Sequence, residues 1–162
     1  MAIVFLMLGS NLDDRLSYLM KAGKAIADES GPILRSSAIY ESEPWGFSHP
    51  VNFYNQILVL QSRYKAEEIL KKILAIEQDM GRIRNNNYYE ARIIDIDIIF
   101  YDNQIIKTDS LTVPHPKIAE RRFVLLPLLE LNPDLVNPVS GLTIWQMYRE
   151  CGDKLSVKRL RN

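Results

Sequence analysis

The chain has 162 residues, of which 47% are hydrophobic and 25% are charged, a composition typical of a folded globular domain. Its 20 basic and 20 acidic side chains cancel at pH 7, which argues against a broad surface for duplex nucleic acid. No apolar run approaches the roughly 20 residues needed to span a bilayer. Residues 1–162 are therefore expected to form one domain with no targeting signal, and the lone Cys151 fits a reducing, cytoplasmic setting.

Hydrophobic periodicity divides the first half of the chain into three strands and two helices. Apolar runs or alternating patterns predict the strands, and apolar residues every three or four positions predict the helices. Ser10, Asn11 and Asp13 are expected to cap the first helix. The predicted strands span residues 3–8, 33–40 and 54–62, and the predicted helices span residues 12–29 and 66–80.

A loop is predicted over residues 41–52, which carry two prolines, a glycine and a tryptophan. Long loops inside compact domains often serve function, and bulky aromatic side chains on them often contact ligands. Trp45 and Phe47 are candidates for such contacts. The alternative is that both rings fold back and cover the core.

The run Arg92–Phe100 predicts a central strand, because β-branched and aromatic side chains favour a pleated, packed surface. Side chains alternate in a strand, so Asp95 and Asp97 should share one face, with Cα atoms about 6.6 Å apart. The other face should carry Ile94, Ile96, Ile98 and Phe100.

Two neighbouring carboxylates on an apolar strand call for a positive partner. Mg²⁺ takes one or two carboxylates and fills its remaining positions with water and substrate phosphates, so Asp95 and Asp97 are candidate magnesium ligands. The alternatives are a solvated sheet face, or pairing of the aspartates with Arg82, Arg84 or Arg92.

Residues 81–92, just before the two aspartates, contain three arginines and two tyrosines. Arginine forks match phosphate oxygens in bidentate geometry, so this segment predicts a polyphosphate held jointly by guanidinium groups and Mg²⁺. A solvated basic loop is the alternative. Glu77 precedes the segment, and a glutamate in a helix is more often exposed to solvent than part of a site.

Beyond the central strand, residues 104–107 are expected to pair back with it as a hairpin. His115 lies between two prolines that restrict its backbone, and it can either donate to a phosphate or cap a loop. A short helix is predicted over residues 143–150. The order β-α-β-β-α-β predicts an α+β, ferredoxin-like split β-α-β core, an antiparallel sheet with helices on one face, and a C-terminal extension after about residue 101.

Seven short segments stand in a fixed order between about residues 4 and 135. They are Leu8–Leu12, Tyr40–Gly46, Asn55–Gln56, Glu77 with Gly81–Arg82, Arg92–Asp97, Val113–Pro116 and Arg121–Leu128. Their order and spacing resemble the 6-hydroxymethyl-7,8-dihydropterin pyrophosphokinases of folate biosynthesis. Each segment is weakly specific alone, but seven in register are specific.

The resemblance implies that pyrophosphate passes from ATP to the pterin hydroxymethyl group, giving AMP and the pterin pyrophosphate ester. We expect the enzyme to be a monomer. It implies two Mg²⁺ ions held by Asp95 and Asp97, with Arg82 and Arg92 as further catalytic residues. ATP would contact Glu77, Arg82, Arg84, Arg92, Ile98, Thr112, His115 and Arg121. The pterin would contact Pro44, Trp45, Gly46, Phe53, Asn55, Asp95 and Phe123.

The sequence departs from the family pattern just before Arg92. The usual basic-Trp-Gly-Pro-Arg stretch is replaced by Tyr88-Tyr89-Glu90-Ala91-Arg92, which removes a Gly-Pro turn and adds a carboxylate near ATP. By resemblance, residues 41–52 and 82–91 would be covers that close over the substrates. The changed stretch would alter that closure more than the reaction.

Two other functions fit parts of the sequence. A non-catalytic ferredoxin-like module that senses a nucleotide or pterin is permitted by the fold. A nucleotidyl or glycosyl transferase would share the paired aspartates but leave Phe53, Asn55 and Phe123 unexplained. The P-loop signature is absent, which argues against a P-loop kinase.

Overall fold

The computed structural model describes residues 1–83 and 91–160 and shows an antiparallel sheet flanked by helices. The strands are β1 (Ala2–Ser10), β2 (Ile33–Ser36), β3 (Tyr40–Ser42), β4 (Phe53–Ser62), β5 (Asp95–Tyr101), β6 (Ile106–Lys107), β7 (Thr112–Val113) and β8 (Val157–Arg159). The helices are α1 (Arg15–Ser30), α2 (Ala66–Asp79), α3 (Arg122–Leu131) and α4 (Ile144–Glu150), with a 3-10 turn at Ile118–Glu120. No helix among the described residues is long and apolar enough to cross a membrane.

The main sheet has the strand order β5-β1-β4-β3-β8, and β2 also pairs with β4. Every pairing is antiparallel. The long, mostly buried β1 and β4 lie at the centre, where their continuous apolar runs are covered on both faces. The order β5-β1-β4 with β2 and β3 beside β4 confirms an α+β antiparallel sheet and is consistent with a ferredoxin-like split β-α-β core.

Each face of the sheet carries its own core. The buried stripes of α1 and α2, including Leu19, Ile26, Ile69 and Ile73, pack on one face, as their helical spacing predicts. The C-terminal extension supplies α3 and α4, which pack on the opposite face through residues such as Leu125. The extension is thus a second helical layer rather than an appendage.

A register shift in β5 changes one predicted face. The pairing with β1 shifts between Phe5 and Leu6, so Phe5 lies opposite Phe100 while Leu6 lies opposite Ile98. Ile99 and Phe100 therefore both enter the core beneath α3. The prediction that Phe100 shares a face with Ile98 was wrong, because a bulge inserts an extra residue and resets the alternation.

Several local predictions also needed correction. Residues 104–107 do not pair with the central strand, since β6 pairs with β7 instead. The predicted strand 33–40 is broken into β2 and β3, and the following loop spans residues 43–52 because β3 extends through Ser42. Asp14, rather than the residues before it, caps α1 by accepting from the Ser17 amide at 3.1 Å.

Candidate functional site

The two aspartates lie on one face of β5, as predicted. Asp97 pairs across the sheet with Met7, and Asp95 pairs with Gly9. Met7 belongs to the core beneath α3 and α4, and directly opposed residues point to the same face of a sheet. Ile96 points the other way, into the core beneath α1 and α2. Both carboxylates therefore face the side covered by the C-terminal extension.

Two arginines hold the Asp95 carboxylate. Nη1 of Arg82 donates to Oδ1 at 2.7 Å, and Nη1 of Arg92 donates to Oδ2 at 2.9 Å. Ion pairing with arginine, the alternative weighed for this strand, is therefore what the structure shows at Asp95. Arg84 and residues 88–90, where the sequence departs from the family pattern, lie outside the described residues, so what the sequence predicts for them stays a prediction.

Glu77 lies beneath this arginine cluster and is not a solvated helix residue. Only 1% of Glu77 is exposed, and its carboxylate accepts from the Arg82 guanidinium and, at 3.1 Å, from the Ile96 amide. Burial opposes the charge on Arg82, but Asp95 and Glu77 outweigh burial and raise its pKa. Glu77 thus fixes Arg82 and the start of β5 relative to each other.

Asp97 lies beside the cluster in a setting that disfavours its charge. Burial, followed by repulsion from Asp95, raises the pKa of Asp97 to about 7, while Arg121 and Arg92 act in the opposite direction. Two carboxylates that share one face of a strand are suited to sharing a bound cation. Among the described residues, no group of three or more His, Cys, Asp or Glu side chains converges to hold a metal.

His115 is held beside the far end of β5 by its main chain and its ring. Its amide donates to the Ile99 carbonyl at 3.0 Å, and its Nδ1 accepts from the Lys117 amide at 3.1 Å. The neutral ring therefore carries its hydrogen on Nε2, a donor suited to an anion. Burial, followed by the positive charge of Arg121, lowers the pKa of His115 to about 4.

His115 is expected to make the protein less stable in mild acid. Between a folded pKa of about 4 and the ordinary value of 6.5, the unfolded chain binds a proton that the folded protein does not. The free energy of unfolding should therefore fall as pH is lowered through this window. When the pH is lowered from 7 to about 4.5, the free energy of unfolding measured with urea should fall about 2 kcal/mol more for the wild type than for His115→Gln. Equal losses in the two proteins would contradict this.

Aromatic side chains adjoin the arginines. The Arg121 guanidinium lies 4.6 Å from the ring centre of Trp45 and 5.7 Å from that of Phe123, and Arg92 lies 5.6 Å from that of Phe53. Phe47 packs edge-on against Phe53 at 6.1 Å. Among residues 1–83 and 91–160, neither core includes Trp45 or Phe47, and their contacts above are with arginine and aromatic side chains.

Asn55 and Gly9 lie next to the aromatic and acidic side chains of the site. The Asn55 amide nitrogen donates to Ser42 Oγ at 2.7 Å and to the Tyr40 carbonyl at 3.3 Å, which fixes the orientation of the amide. A Cβ at Gly9 would lie 3.3 Å from Asn55 Oδ1 and 3.7 Å from Phe53 Cδ1. Glycine therefore keeps the space beside these two side chains open, a role that the sequence reading did not assign to it.

The remaining candidates vary in their placement. Pro44 and Gly46 flank Trp45 on the loop 43–52. Thr112 is exposed in β7. The Ile98 side chain is buried beneath α1 and α2, on the face opposite the aspartates, so that only its main chain can face the site.

Asn11 is a site residue that the sequence reading missed. It is fully buried; its Oδ1 accepts from the Arg92 amide at 2.8 Å, and its Nδ2 donates to the Val51 carbonyl at 3.3 Å. Its own amide donates to the Arg92 carbonyl at 3.1 Å. Asn11 thus joins the loop 43–52 to the arginine that holds Asp95. Its partners lie far away in sequence, so no local pattern separates this role from helix capping.

Comparison with known proteins identifies related chains. Residues 5–133 match the model of the 7,8-dihydro-6-hydroxymethylpterin-pyrophosphokinase (HPPK) family. The chain is 40% identical over 139 residues to 2-amino-4-hydroxy-6-hydroxymethyldihydropteridine pyrophosphokinase of Aquifex aeolicus, covering 86% of each chain. It is 41% identical over 136 residues to the protein of that name from Porphyromonas gingivalis, covering 82% of this chain and 92% of the relative.

Longer relatives contain a similar segment. Folic acid synthesis protein fol1 of Pneumocystis carinii is 37% identical over 150 residues, which are 93% of this chain but 20% of that protein. The solved structure of Plasmodium falciparum HPPK-DHPS shares the fold with a TM-score of 0.74 at 16% identity, over 92% of this chain and 45% of that one. Because the family model matches most of its length and two relatives of similar size are about 40% identical to it, the chain belongs to the 7,8-dihydro-6-hydroxymethylpterin-pyrophosphokinase family.

Proposed function

We propose that this protein transfers pyrophosphate from ATP to the hydroxymethyl group of 6-hydroxymethyl-7,8-dihydropterin, in folate biosynthesis. The substrate oxygen bonds to the β-phosphorus, the bond from that phosphorus to the α-phosphate oxygen breaks, and AMP leaves as the hydroxyl proton is released. In a chain of this family, one observation is the main support for the proposal. Arg92 pairs with Asp95 and lies over the Phe53 ring, and Arg121, whose charge acts on Asp97, lies over the rings of Trp45 and Phe123.

The arginines are suited to bind the ATP phosphates. Phosphoryl transfer needs positioning and charge neutralisation more than covalent help from the protein. Arg82 and Arg121 each have a buried Nε with no hydrogen-bond partner among the described residues. Buried donors of this kind favour an anionic acceptor, and phosphate oxygens would also draw Arg82 and Arg92 away from Asp95. The Nε2–H of His115 can donate to the same phosphate chain.

The carboxylates of Asp95 and Asp97 are suited to hold Mg²⁺, and we propose two ions per site. Hard carboxylate oxygens on neighbouring positions, with few other protein ligands, match the preference of Mg²⁺ for water and substrate phosphates as its remaining ligands. When bound, Mg²⁺ supplies neutralisation of charge on the phosphate oxygens. The protein's own contribution is to hold both carboxylates on one strand, with Asp95 paired to Arg82 and Arg92 until phosphate oxygens replace it as their partner.

The aromatic side is suited to the flat pterin ring. Phe53 and Phe123 offer faces for stacking, and Trp45 lies close by on the loop 43–52. The orientation of the Asn55 amide is fixed by its bonds to Ser42 and Tyr40, so its oxygen is presented as an acceptor beside Gly9. Stacking and one fixed amide would place the hydroxymethyl group toward the aspartates.

The test is product analysis by chromatography with purified protein. AMP and the pterin pyrophosphate ester should form only when ATP, Mg²⁺ and the hydroxymethyl pterin are all present. A 6-methyl pterin, which lacks the attacking hydroxyl, should bind without producing AMP. Formation of ADP would contradict pyrophosphate transfer. Calorimetric binding of both substrates with no AMP would favour a non-catalytic sensing module instead.

We also propose that residues 1–162 act as one monomeric domain in the cytoplasm. In one chain, several described ATP and pterin candidates lie around the aspartates of β5, which supports action as a monomer, and ATP is a cytoplasmic co-substrate. Size-exclusion chromatography with light scattering should give a mass near 18.7 kDa. A stable dimer at assay concentration would contradict the proposal.

A further inference from the structure

Arg15 makes three side-chain contacts at the first position of α1. Its Nη1 donates to the Asn52 carbonyl at 2.8 Å and lies 3.4 Å from Oε2 of Glu41. Its guanidinium also lies over the Tyr54 ring, 3.7 Å from the ring centre. The side chain is 22% exposed, so these contacts form in a partly dry environment. A single planar group therefore satisfies a carbonyl, a carboxylate and an aromatic face together.

The three partners of Arg15 lie on both stems of the loop 43–52. Glu41 belongs to β3, which enters the loop, whereas Asn52 is the last residue of the loop and Tyr54 lies at the start of β4, which leaves it. Glu41 and Tyr54 are directly paired across the sheet. Arg15 thus clamps the two ends of this loop from outside the sheet.

The clamp acts on the loop without touching the phosphate-binding candidates. Among residues 1–83 and 91–160, the side-chain partners of Arg15 are confined to these two stems. The loop carries Trp45, and β4 continues from its end into Phe53 and Asn55. Fixing the loop ends reduces the conformational freedom that pterin binding would otherwise have to remove.

We propose that Arg15 is a positioning residue that sets the affinity for the pterin, and not for ATP, by clamping the base of the loop 43–52. The inference rests on the proposed function, because that function makes Trp45, Phe53 and Asn55 the pterin side of the site. Arg15 itself touches neither substrate. Substitution of Arg15 should therefore lower the affinity for the pterin but not for ATP, whereas a general loss of stability would not distinguish the two substrates.

Arg35 provides a matched control. It also donates from its guanidinium to a main-chain carbonyl, that of Leu131 at 2.6 Å, but it joins β2 to the end of α3. Arg35→Ala and Arg15→Ala each remove a charged donor from a carbonyl. Urea unfolding of both variants measures the stability that each loses, so a rise in KM for the pterin alone reports the position of Arg15 rather than destabilisation.

Steady-state kinetics test the selectivity. Arg15→Ala should raise KM for the hydroxymethyl pterin about tenfold, the effect of losing one charged hydrogen bond, with KM for ATP and kcat changed less than about threefold. Arg15→Lys keeps the charge but not the planar fork over Tyr54, and it should recover part of the loss. Arg35→Ala should leave KM for the pterin near the wild-type value.

Fluorescence gives a readout that does not depend on activity. The chain has 2 tryptophans, so Trp145→Phe leaves Trp45 as the single reporter on the loop. In that background, Arg15→Ala should increase acrylamide quenching of Trp45, and Arg35→Ala should not. Unchanged quenching and unchanged pterin KM in a folded Arg15→Ala protein would overturn the proposal, as would equal KM increases in the Arg15 and Arg35 variants. An inactive wild type would refute the proposed function, while the quenching comparison would still test the clamp.

Discussion

Asp97→Asn is expected to lower kcat/KM for pyrophosphate transfer about a thousandfold, the scale seen when a group that stabilises transition-state charge is removed. Asparagine keeps the size of the side chain but provides a weaker, neutral ligand for Mg²⁺. The measurement is the initial rate of AMP formation at saturating Mg²⁺. Asp28→Asn, which changes an exposed aspartate paired with Lys24 on α1, should retain activity within about twofold.

Asp97→Asn should not destabilise the folded protein. The pKa of Asp97 is raised from 3.8 to about 7, so the folded state binds a proton more tightly than the unfolded chain, and its stability falls as pH rises through this window. Removing the ionised group should therefore leave the metal-free Tm at pH 8 equal to or above that of the wild type. Near-normal activity in Asp97→Asn would refute its role as a metal ligand, and a large drop in Tm would attribute the lost activity to unfolding.

Glu77→Ala is expected to lower the free energy of unfolding by about 3–5 kcal/mol, because it removes one partner of a buried ion pair. The change leaves the Ile96 amide without its acceptor and removes the carboxylate that fixes Arg82. Urea unfolding at pH 7 measures the loss. Glu67→Ala, on the same helix, removes an acceptor for the Thr108 and Ser110 hydroxyls at a half-exposed position and should cost less than about 1 kcal/mol.

Glu77→Gln separates the two functions of this carboxylate. Its side-chain oxygen can still accept from the Ile96 amide, but it lacks the charge that pairs with Arg82. Its stability should lie between those of the wild type and Glu77→Ala, and it supplies the measurement if the alanine variant does not fold. A loss in Glu77→Ala no larger than that in Glu67→Ala would show that this buried pair is not important for stability.

The site contacts form a series that ends at Asp95. Glu77 fixes Arg82, Arg82 and Arg92 fix Asp95, and Asn11 fixes the main chain of Arg92. The carboxylate proposed as a metal ligand is therefore held at the end of a series of charged hydrogen bonds. We expect the binding of ATP and Mg²⁺ to exchange these internal partners for phosphate oxygens, which places positively charged groups where negative charge develops.

Features that depend on neighbouring residues could be predicted from the amino-acid sequence. Alternation along β5 placed Asp95 and Asp97 on one face, and helical spacing placed the stripes of α1 and α2 against the sheet. The ordered motifs indicated the family, since each motif keeps its residue types and spacing within a short segment. Such features are local because a strand or helix repeats its geometry every few residues.

Features that join distant segments became visible in the folded chain and could not be predicted from local sequence. The bulge opposite Phe5 moved Phe100 to the other face, and the C-terminal extension became a second helical layer rather than a tail. Asn11 and Arg15, which look like residues at a helix start, became supports of Arg92 and of the loop 43–52. Buried polar side chains must find partners wherever the fold brings them, and those partners lie dozens of residues away, so no local pattern could identify them.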